Sequence, residues 1–252
     1  MNGSFKRFLW GLYAKVYDTV MLHLRPYRRL IVSVAEALNP QRGWHVLDAG
    51  CGTGNFLLNL IHACPDLEAV GVDFSPAMLK RARHKYEKIS TNNIGKWKVF
   101  KEADLNTSLP FGNEEFEGVI CVNVLYAVDN PQDLLEEMHR VLRKGGQLIL
   151  ITPPSRPRMW PVFREHVRHL QKSAPLGWVF MLAWQIIYLI PSLILFLSIN
   201  IFIQRHRDFH FYTSEELALL LKKCGFELIL MKRVYGGQDW FLQAIKPALV
   251  VA

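Results

Sequence analysis

Cysteine is scarce and scattered in this chain. Cys51, Cys64, Cys121 and Cys224 are the only four in 252 residues. No two form a CxxC pair, which argues against a zinc centre or a disulfide framework and suits a reducing compartment. The first twenty residues, MNGSFKRFLWGLYAKVYDTV, lack a long apolar core and a small-residue cleavage site, so no secretory signal is expected. Internal repeats and low-complexity tracts are missing. So is a dense run of Lys and Arg interleaved with aromatics, although the net charge is +8. The basic residues are dispersed instead: Arg25, Arg28 and Arg29, then 80–88, then 156–172, then Arg205 and Arg207. That pattern leads us to expect no nucleic-acid partner. The last two groups flank the most apolar part of the chain, which points towards an anionic membrane surface.

What is present is ample apolar material, 50% of the residues, enough for a sizeable core. Its spacing alternates between two periods. Residues 5–20 and 27–38 carry helical spacing. Then HVLDA (45–49) predicts a buried strand and NFLLNLIHA (55–63) a helix. LEAVGVD (67–73) is the next strand. SPAMLKRARHKYEK (75–88) is a helix, with Ser75 as cap and Pro76 in its first turn. WKVF (97–100) and GVICVNV (118–124) are strands. A helix over 130–145 opens on Asn130 and Pro131 and closes at Gly145. QLILIT (147–152) is a strand. Thr213 and Glu216 frame a capping box for a helix over 213–225. FELILMKRV (226–234) and DWFLQAIK (239–246) close the chain as two strands across Gly236 and Gly237. Strands alternating with helices imply a mostly parallel sheet covered on both faces, with ligands at the carboxyl ends of its strands.

Three glycines, Gly50, Gly52 and Gly54, crowd the turn after the first strand. Glycine there lets backbone N–H groups approach a ligand closely. The dinucleotide fingerprint needs its third glycine at position 55, where this chain has Asn55. The spacing therefore fits a nucleoside without a pyrophosphate better than NAD. Asp73, ending the second strand, stands where a carboxylate accepts from ribose hydroxyls.

These stretches carry a resemblance. VLDAGCGTGNF, GVDFSPAMLKRA, EADLNTSLPFGNEEFEGVICVNVLYAVDNP and EEMHRVLRKGGQLILITP resemble the successive motifs of the class I S-adenosylmethionine-dependent methyltransferases, most closely the ubiquinone/menaquinone-pathway group. The resemblance is close over residues 42–153 and loose over the last strands. It implies S-adenosyl-L-methionine as cofactor. It also implies an α/β fold: a Rossmann-like, doubly wound, seven-stranded, mostly parallel sheet with an antiparallel last strand. Residues 1–40 would cap the cofactor site, and 41–252 would form the methyltransferase domain. By this resemblance, Asp48, Gly50, Gly52 and Gly54 surround the methionine end of the cofactor. Cys51 sits among them as a small residue, with no paired base to make it a nucleophile. Asp73 takes the ribose, Phe74 and Met78 lie near the adenine, and Asp104 reaches the adenine amino group with Leu105 beside the ring. Asn123 lies near the sulfonium, with Leu125 and Tyr126 beyond. YAKVYD resembles the helix that closes over the cofactor in relatives and brings Tyr17 to the site. Plainer roles stand beside these: a turn or cap for Asp104, core packing for Met78, helix packing for Tyr17.

The family pattern does not account for an insertion over 155–210, between the fifth and sixth strands. Its residues 177–203 contain no charge. About 20 apolar residues cross a bilayer. A single crossing would part the last two strands from their sheet, and Pro191 falls near the middle, where proline breaks helices. Two pieces of about 13 residues, each about 20 Å long, suit a re-entrant or interfacial hairpin on the cytoplasmic face. Trp178, Trp184 and Tyr188 would sit at headgroup level. The alternative is a buried cap, with or without a dimer interface, on a soluble small-molecule methyltransferase; a non-enzymatic S-adenosylmethionine-binding membrane protein is the third reading. A membrane-inserted hairpin implies a lipophilic acceptor, such as a quinone or phospholipid. A base for such an acceptor could be Tyr17, His23, Tyr126, His210 or Tyr212. His206 and His210 stand four apart without a third ligand, so no metal is expected.

Overall fold

A computed structural model describes residues 3–89, 99–155 and 157–248. Trp97 and Lys98 of the expected third strand, and Arg156, lie outside them. The strands are β1 (His45–Ala49), β2 (Glu68–Asp73), β3 (Val99–Glu102), β4 (Phe116–Val122), β5 (Leu142–Thr152), β6 (Glu227–Val234) and β7 (Asp239–Ile245). They form one sheet in the order β3-β2-β1-β4-β5-β7-β6. Pairings from β3 across to β5 are parallel, and β7 runs antiparallel to both its neighbours. Because β7 is reversed, its first residue, Asp239, lies on the edge where the parallel strands end.

Alternation along the strands separates two cores. Val46, Ile120, Ile149 and Ile151 face α1 (Gly3–Met21), α2 (Arg25–Leu38), α3 (Asn55–Ala63), α4 (Pro76–Ile89) and α7 (Trp178–Arg205). Leu47, Val119, Leu148 and Leu150 face α5 (Pro131–Val141) and α8 (Ser214–Lys223). The helix starts follow their caps. Ser75 Oγ accepts from Met78 N–H, Asn130 Oδ1 from Gln132 N–H, and Thr213 forms the full capping box with Glu216.

Two expectations need correction. The helix expected to reach Gly145 ends at Val141, and β5 begins at once. The carbonyls of its last turn bond elsewhere. Arg140 and Val141 accept from the N–H groups of Glu114 and Glu115, and His139 and Leu142 accept from Lys246 Nζ at 2.9 and 2.8 Å.

The second correction is larger. The apolar segment is no hairpin: α7 is one helix of 28 residues with Pro191 inside it. At about 1.5 Å per residue it is about 42 Å long. Proline removes one backbone bond, but packing holds both sides of the gap. Leu189 and Phe196 are buried before and after it. The stripe Gln185, Leu189, Phe196, Ile199 and Ile203 faces the protein from the eighth residue of the helix onward. His166 of α6 (Met159–Ser173) meets Gln185 Oε1 at 3.0 Å, and Tyr13 of α1 stacks on Phe196 at 5.2 Å.

Candidate active site

The carboxyl edge of the sheet carries a cavity of about 210 Å³. One wall is the glycine loop after β1. Its first two N–H groups, of Gly50 and Cys51, both donate to Val72 O at 2.8 Å, drawing the loop tightly over β2. Gly50 has φ +82°, and a Cβ there would sit 2.1 Å from Val124 Cγ2. No side chain fits that position. Gly52 donates its N–H to Asp73 Oδ2 at 2.8 Å, while Asp73 Oδ1 accepts from Ser75 N–H at 2.8 Å. A Cβ on Gly52 would meet nothing within 4 Å, so this part of the loop is open.

Acidic groups concentrate behind the loop. Asp48 is buried, and its Oδ2 has no hydrogen-bond partner among the described residues. Burial, with Asp73 nearby, holds its carboxyl well above the ordinary range. Burial also pushes Asp73 up to about 6, against the two backbone N–H bonds it accepts.

Of the residues singled out above, Tyr17, Gly50, Cys51, Gly52, Asp73, Phe74, Met78, Asp104, Leu105, Asn123 and Tyr126 line the cavity. Asp104 also makes a turn, its Oδ1 accepting from Asn106 N–H at 3.0 Å. The others do not line it. Asp48 lies behind the loop, and Gly54 caps α3 and packs towards Ala82 and Phe100. Leu125 belongs to the core on the opposite face of the sheet. His23 is exposed, bonded to Thr19 O and tilted on Tyr188. His210 is exposed with its N–H on Tyr126 O, and Tyr212 bridges Pro154. Tyr17, half-buried, and Tyr126, buried, are phenols that desolvation holds neutral far above pH 7. They can donate hydrogen bonds there but are poor bases.

The structure adds residues that pattern reading missed. Asp18 of α1 clamps the loop: its Oδ1 accepts from Thr53 Oγ1 at 2.6 Å and Asn55 Nδ2 at 3.0 Å. Its Oδ2 meets Lys85 Nζ of α4 at 2.9 Å. Arg7 lies over the Phe74 ring at 4.6 Å and pairs with Glu102 at 2.7 Å. Thus α1 is fastened at both ends over the cavity. Tyr13, Phe196 and Asn200 line the second wall, and Tyr235, Gln238 and Asp239 line the far end. Asp18 follows Tyr17 directly and was within reach of a careful reading. Asp239 follows a Gly-Gly turn, where aspartate ordinarily signals only a turn.

This lining suits S-adenosylmethionine. The cofactor offers an ammonium, two ribose hydroxyls and an adenine amino group. The loop side offers Asp73, Asp104 and the unpartnered Asn123 Oδ1 as acceptors. A seven-stranded sheet with a reversed β7, and a nucleoside site without a pyrophosphate loop, define an S-adenosylmethionine-dependent methyltransferase fold. Comparison agrees. The family described as "Methyltransferase domain" matches residues 47–150. A demethylmenaquinone methyltransferase of Deinococcus radiodurans is 35% identical over 150 residues, 58% of this chain and 58% of that protein. A phosphatidylethanolamine N-methyltransferase of Cereibacter sphaeroides is 32% identical over 151 residues, 60% of this chain and 66% of that one. The chain thus spans less than two thirds of these two relatives. A demethylmenaquinone methyltransferase of Tropheryma whipplei matches more fully, 29% identical over 92% of this chain and 87% of its own. Magnesium protoporphyrin IX methyltransferase from Synechocystis, solved with bound SAH, superposes with a TM-score of 0.64 over 97% of this chain and 100% of that chain. Its 17% identity speaks to the fold alone. Over residues 47–150 the chain thus matches the methyltransferase-domain family, and its sheet has the Rossmann-like methyltransferase fold.

Proposed function

We propose that the chain transfers a methyl group from S-adenosylmethionine to a lipophilic acceptor while seated on an anionic membrane surface. One observation carries this reading: α7 faces two ways. Its inner stripe packs on the protein, and Phe196, Asn200, Ile203 and Gln204 line the cavity. Its outer stripe is apolar and bare, with Phe180 80%, Trp184 72%, Ile187 65% and Ile194 63% exposed. The helix is long and apolar enough to cross a membrane, yet only 22% of its most apolar stretch is buried. Because packing holds it from Gln185 to Ile203, on both sides of Pro191, it meets a bilayer side-on rather than through it. Arg164, Arg168 and Lys172 before it, Arg205 at its end and Arg207 just beyond supply charge for anionic headgroups. Relatives named for demethylmenaquinone and phosphatidylethanolamine support a lipid-soluble acceptor.

The bound cofactor supplies an electrophilic methyl group on a sulfonium. The chain's residues hold and orient. Asp73 would accept from the ribose, Phe74, Met78 and Leu105 would pack the adenine, Asp104 would edge it, and Asn123 would stand at the sulfur end. Tyr13, Tyr17 and Phe196 close the cavity against water and align the acceptor.

The test incubates the protein with methyl-labelled S-adenosylmethionine and a total lipid extract, then partitions the mixture between organic solvent and water. Flotation with phosphatidylglycerol-containing vesicles runs alongside. Label in the organic phase and protein in the floated fraction are expected. Label only in water-soluble product, with a dimer that ignores vesicles, would overturn the reading.

A further inference from the structure

Asp239 is a buried carboxylate on the cavity wall that cofactor binding does not use. It is 4% exposed and lines the cavity beside Gln238 and Tyr235. Four strand steps, β2-β1-β4-β5-β7, separate it from Asp73. At about 4.8 Å per step that is about 19 Å along the sheet. Asp239 therefore lies beyond Asn123, at the end away from the ribose and adenine groups.

Its surroundings are those of a base rather than an ion pair. Asn123 Nδ2 reaches Asp239 Oδ2 only at 3.4 Å, and Asn123 itself holds φ +56°. Asn123 Oδ1 is buried without a partner among the described residues. The charged and titratable groups acting on Asp239 are few. Arg233 of β6 acts from a distance, its guanidinium stacked over the Trp240 ring at 3.4 Å and bonded to Gln238 O at 3.3 Å. Tyr126 and Tyr235 both stand near it as neutral phenols. Among the described residues no lysine or arginine forms a salt bridge with it.

We propose that Asp239 is the catalytic base, taking the proton from the acceptor's nucleophilic atom during methyl transfer, with Asn123 as its positioning residue. The step balances. The acceptor's O–H, N–H or activated C–H gives its proton to an Asp239 carboxylate oxygen. The electron pair released forms the new bond to the methyl carbon. The carbon–sulfur bond breaks and its pair stays on sulfur, leaving the neutral thioether. This inference rests on the methyltransferase reading, not on the acceptor's being a lipid.

Two independent features support it. Burial pushes Asp239 up to about 7, so near neutral pH its carboxylate form is available to accept a proton. A base works best when its pKa lies near the working pH. The reversed β7 also places the carboxylate on a rigid strand end rather than a loop.

The experiment compares wild type, D239N and D239E. Three quantities are read: transfer rate from labelled S-adenosylmethionine into lipid extract between pH 5.5 and 9 (a range bracketing a pKa of about 7), the Kd for S-adenosylhomocysteine, and pH-difference infrared spectra of the protein alone. The wild-type rate should rise through about pH 7 and level off. D239N should lose about 100-fold or more of the rate, keep its Kd within about threefold, and lose an infrared carboxyl band that titrates near 7 in wild type. D239E should recover part of the rate with a shifted acid limb. A D239N rate above about a third of wild type with the limb unchanged would overturn the proposal. So would a wild-type carboxyl band that is already absent at pH 6, a readout that needs no turnover. Failure of the lipid reading alone shows separately, as wild-type label in a water-soluble product on which the same comparison is made.

Discussion

The cavity has two walls made in opposite ways. The sheet-side wall is backbone and carboxylate: Gly50 and Gly52, then Asp73 hung between two N–H groups at 2.8 Å. A side chain at Gly50 would clash, and loss of the Asp73 carboxylate would orphan two N–H groups. The lid-side wall is α1 and α7, built from tyrosines, Phe196 and aliphatic residues that interlock by shape. Tyr13 bonds Asn200 and stacks on Phe196, and Tyr17 meets Tyr27 edge-on. Cores of this kind tolerate volume-conserving exchange. One wall is thus suited to an invariant cofactor and the other to a particular acceptor, and the two are joined at Asp18.

The comparison breaks first at Gly50. Gly50→Ala places a methyl 2.1 Å from Val124 Cγ2 in a left-handed backbone. S-adenosylhomocysteine affinity should fall by about 100-fold or more in a calorimetric titration, since strain of about 1–2 kcal/mol adds to the displaced loop. Adding Val124→Ala should restore only part of it. Full restoration would show that contact alone, and not backbone conformation, shapes this wall.

The lid wall should respond in the opposite sense. Replacing Phe180 and Trp184 together by Ser removes two exposed rings that touch nothing in the cavity. Seated side-on, each ring is only partly buried and contributes about 1 kcal/mol of the roughly 1.5–3 kcal/mol that full burial gives, so vesicle affinity should drop by about 30-fold. Cofactor affinity should stay unchanged. An undiminished vesicle affinity would move the membrane contact elsewhere on the surface.

Asp18→Ala tests the joint. It removes the acceptor for Thr53, Asn55 and Lys85 at once. Burial already pulls the Lys85 ammonium below its ordinary range, and Asp18 opposes that pull. Cofactor affinity should fall by about tenfold, equivalent to about 1.4 kcal/mol, mainly through faster dissociation as α1 loosens. Vesicle binding should persist. A variant with unchanged dissociation would show that α1 does not retain the cofactor.

Legibility in the sequence follows the same division. The succession of strands and helices, the helix caps and the glycine loop obey local rules, so the alternation of periods and the Ser75, Asn130 and Thr213 caps read directly from the chain. The loop's geometry hid little, because Gly50 and Asp73 are needed for backbone reasons. What failed to read was non-local. The helix before β5 stops early because Lys246, over a hundred residues on, bonds its last carbonyls. Pro191 is outweighed by packing on α1 and α6, contacts with no trace in the local pattern. Leu125 faces the opposite core although it adjoins Val124 and Tyr126, which line the cavity. Asp239 reaches the site only because β7 is reversed and edge-matched to β5.

The smallest expected effect concerns pH, and it sharpens the account of the sheet wall. Burial raises Asp73 to about 6, so its ordinary unfolded value lies lower. The sign for stability follows: the group's contribution is fully present below the unfolded pKa and is lost as pH rises through about 6. The buried carboxylate is thus a strain on the empty fold at neutral pH. For cofactor binding the sign reverses, because the ionised form accepts from both ribose hydroxyls and the protonated form does not. S-adenosylhomocysteine affinity should therefore be about fourfold weaker at pH 5.5 than at pH 7, the ratio of ionised fractions for a group titrating at about 6. Asp73→Asn should flatten that dependence, with affinity at pH 7 below wild type's, because its amide nitrogen would face one of the two N–H groups that the carboxylate accepts. If affinity were flat from pH 5.5 to 7 in wild type, another group would hold the ribose, and Asp73 would serve only to shape the loop through Gly52 and Ser75.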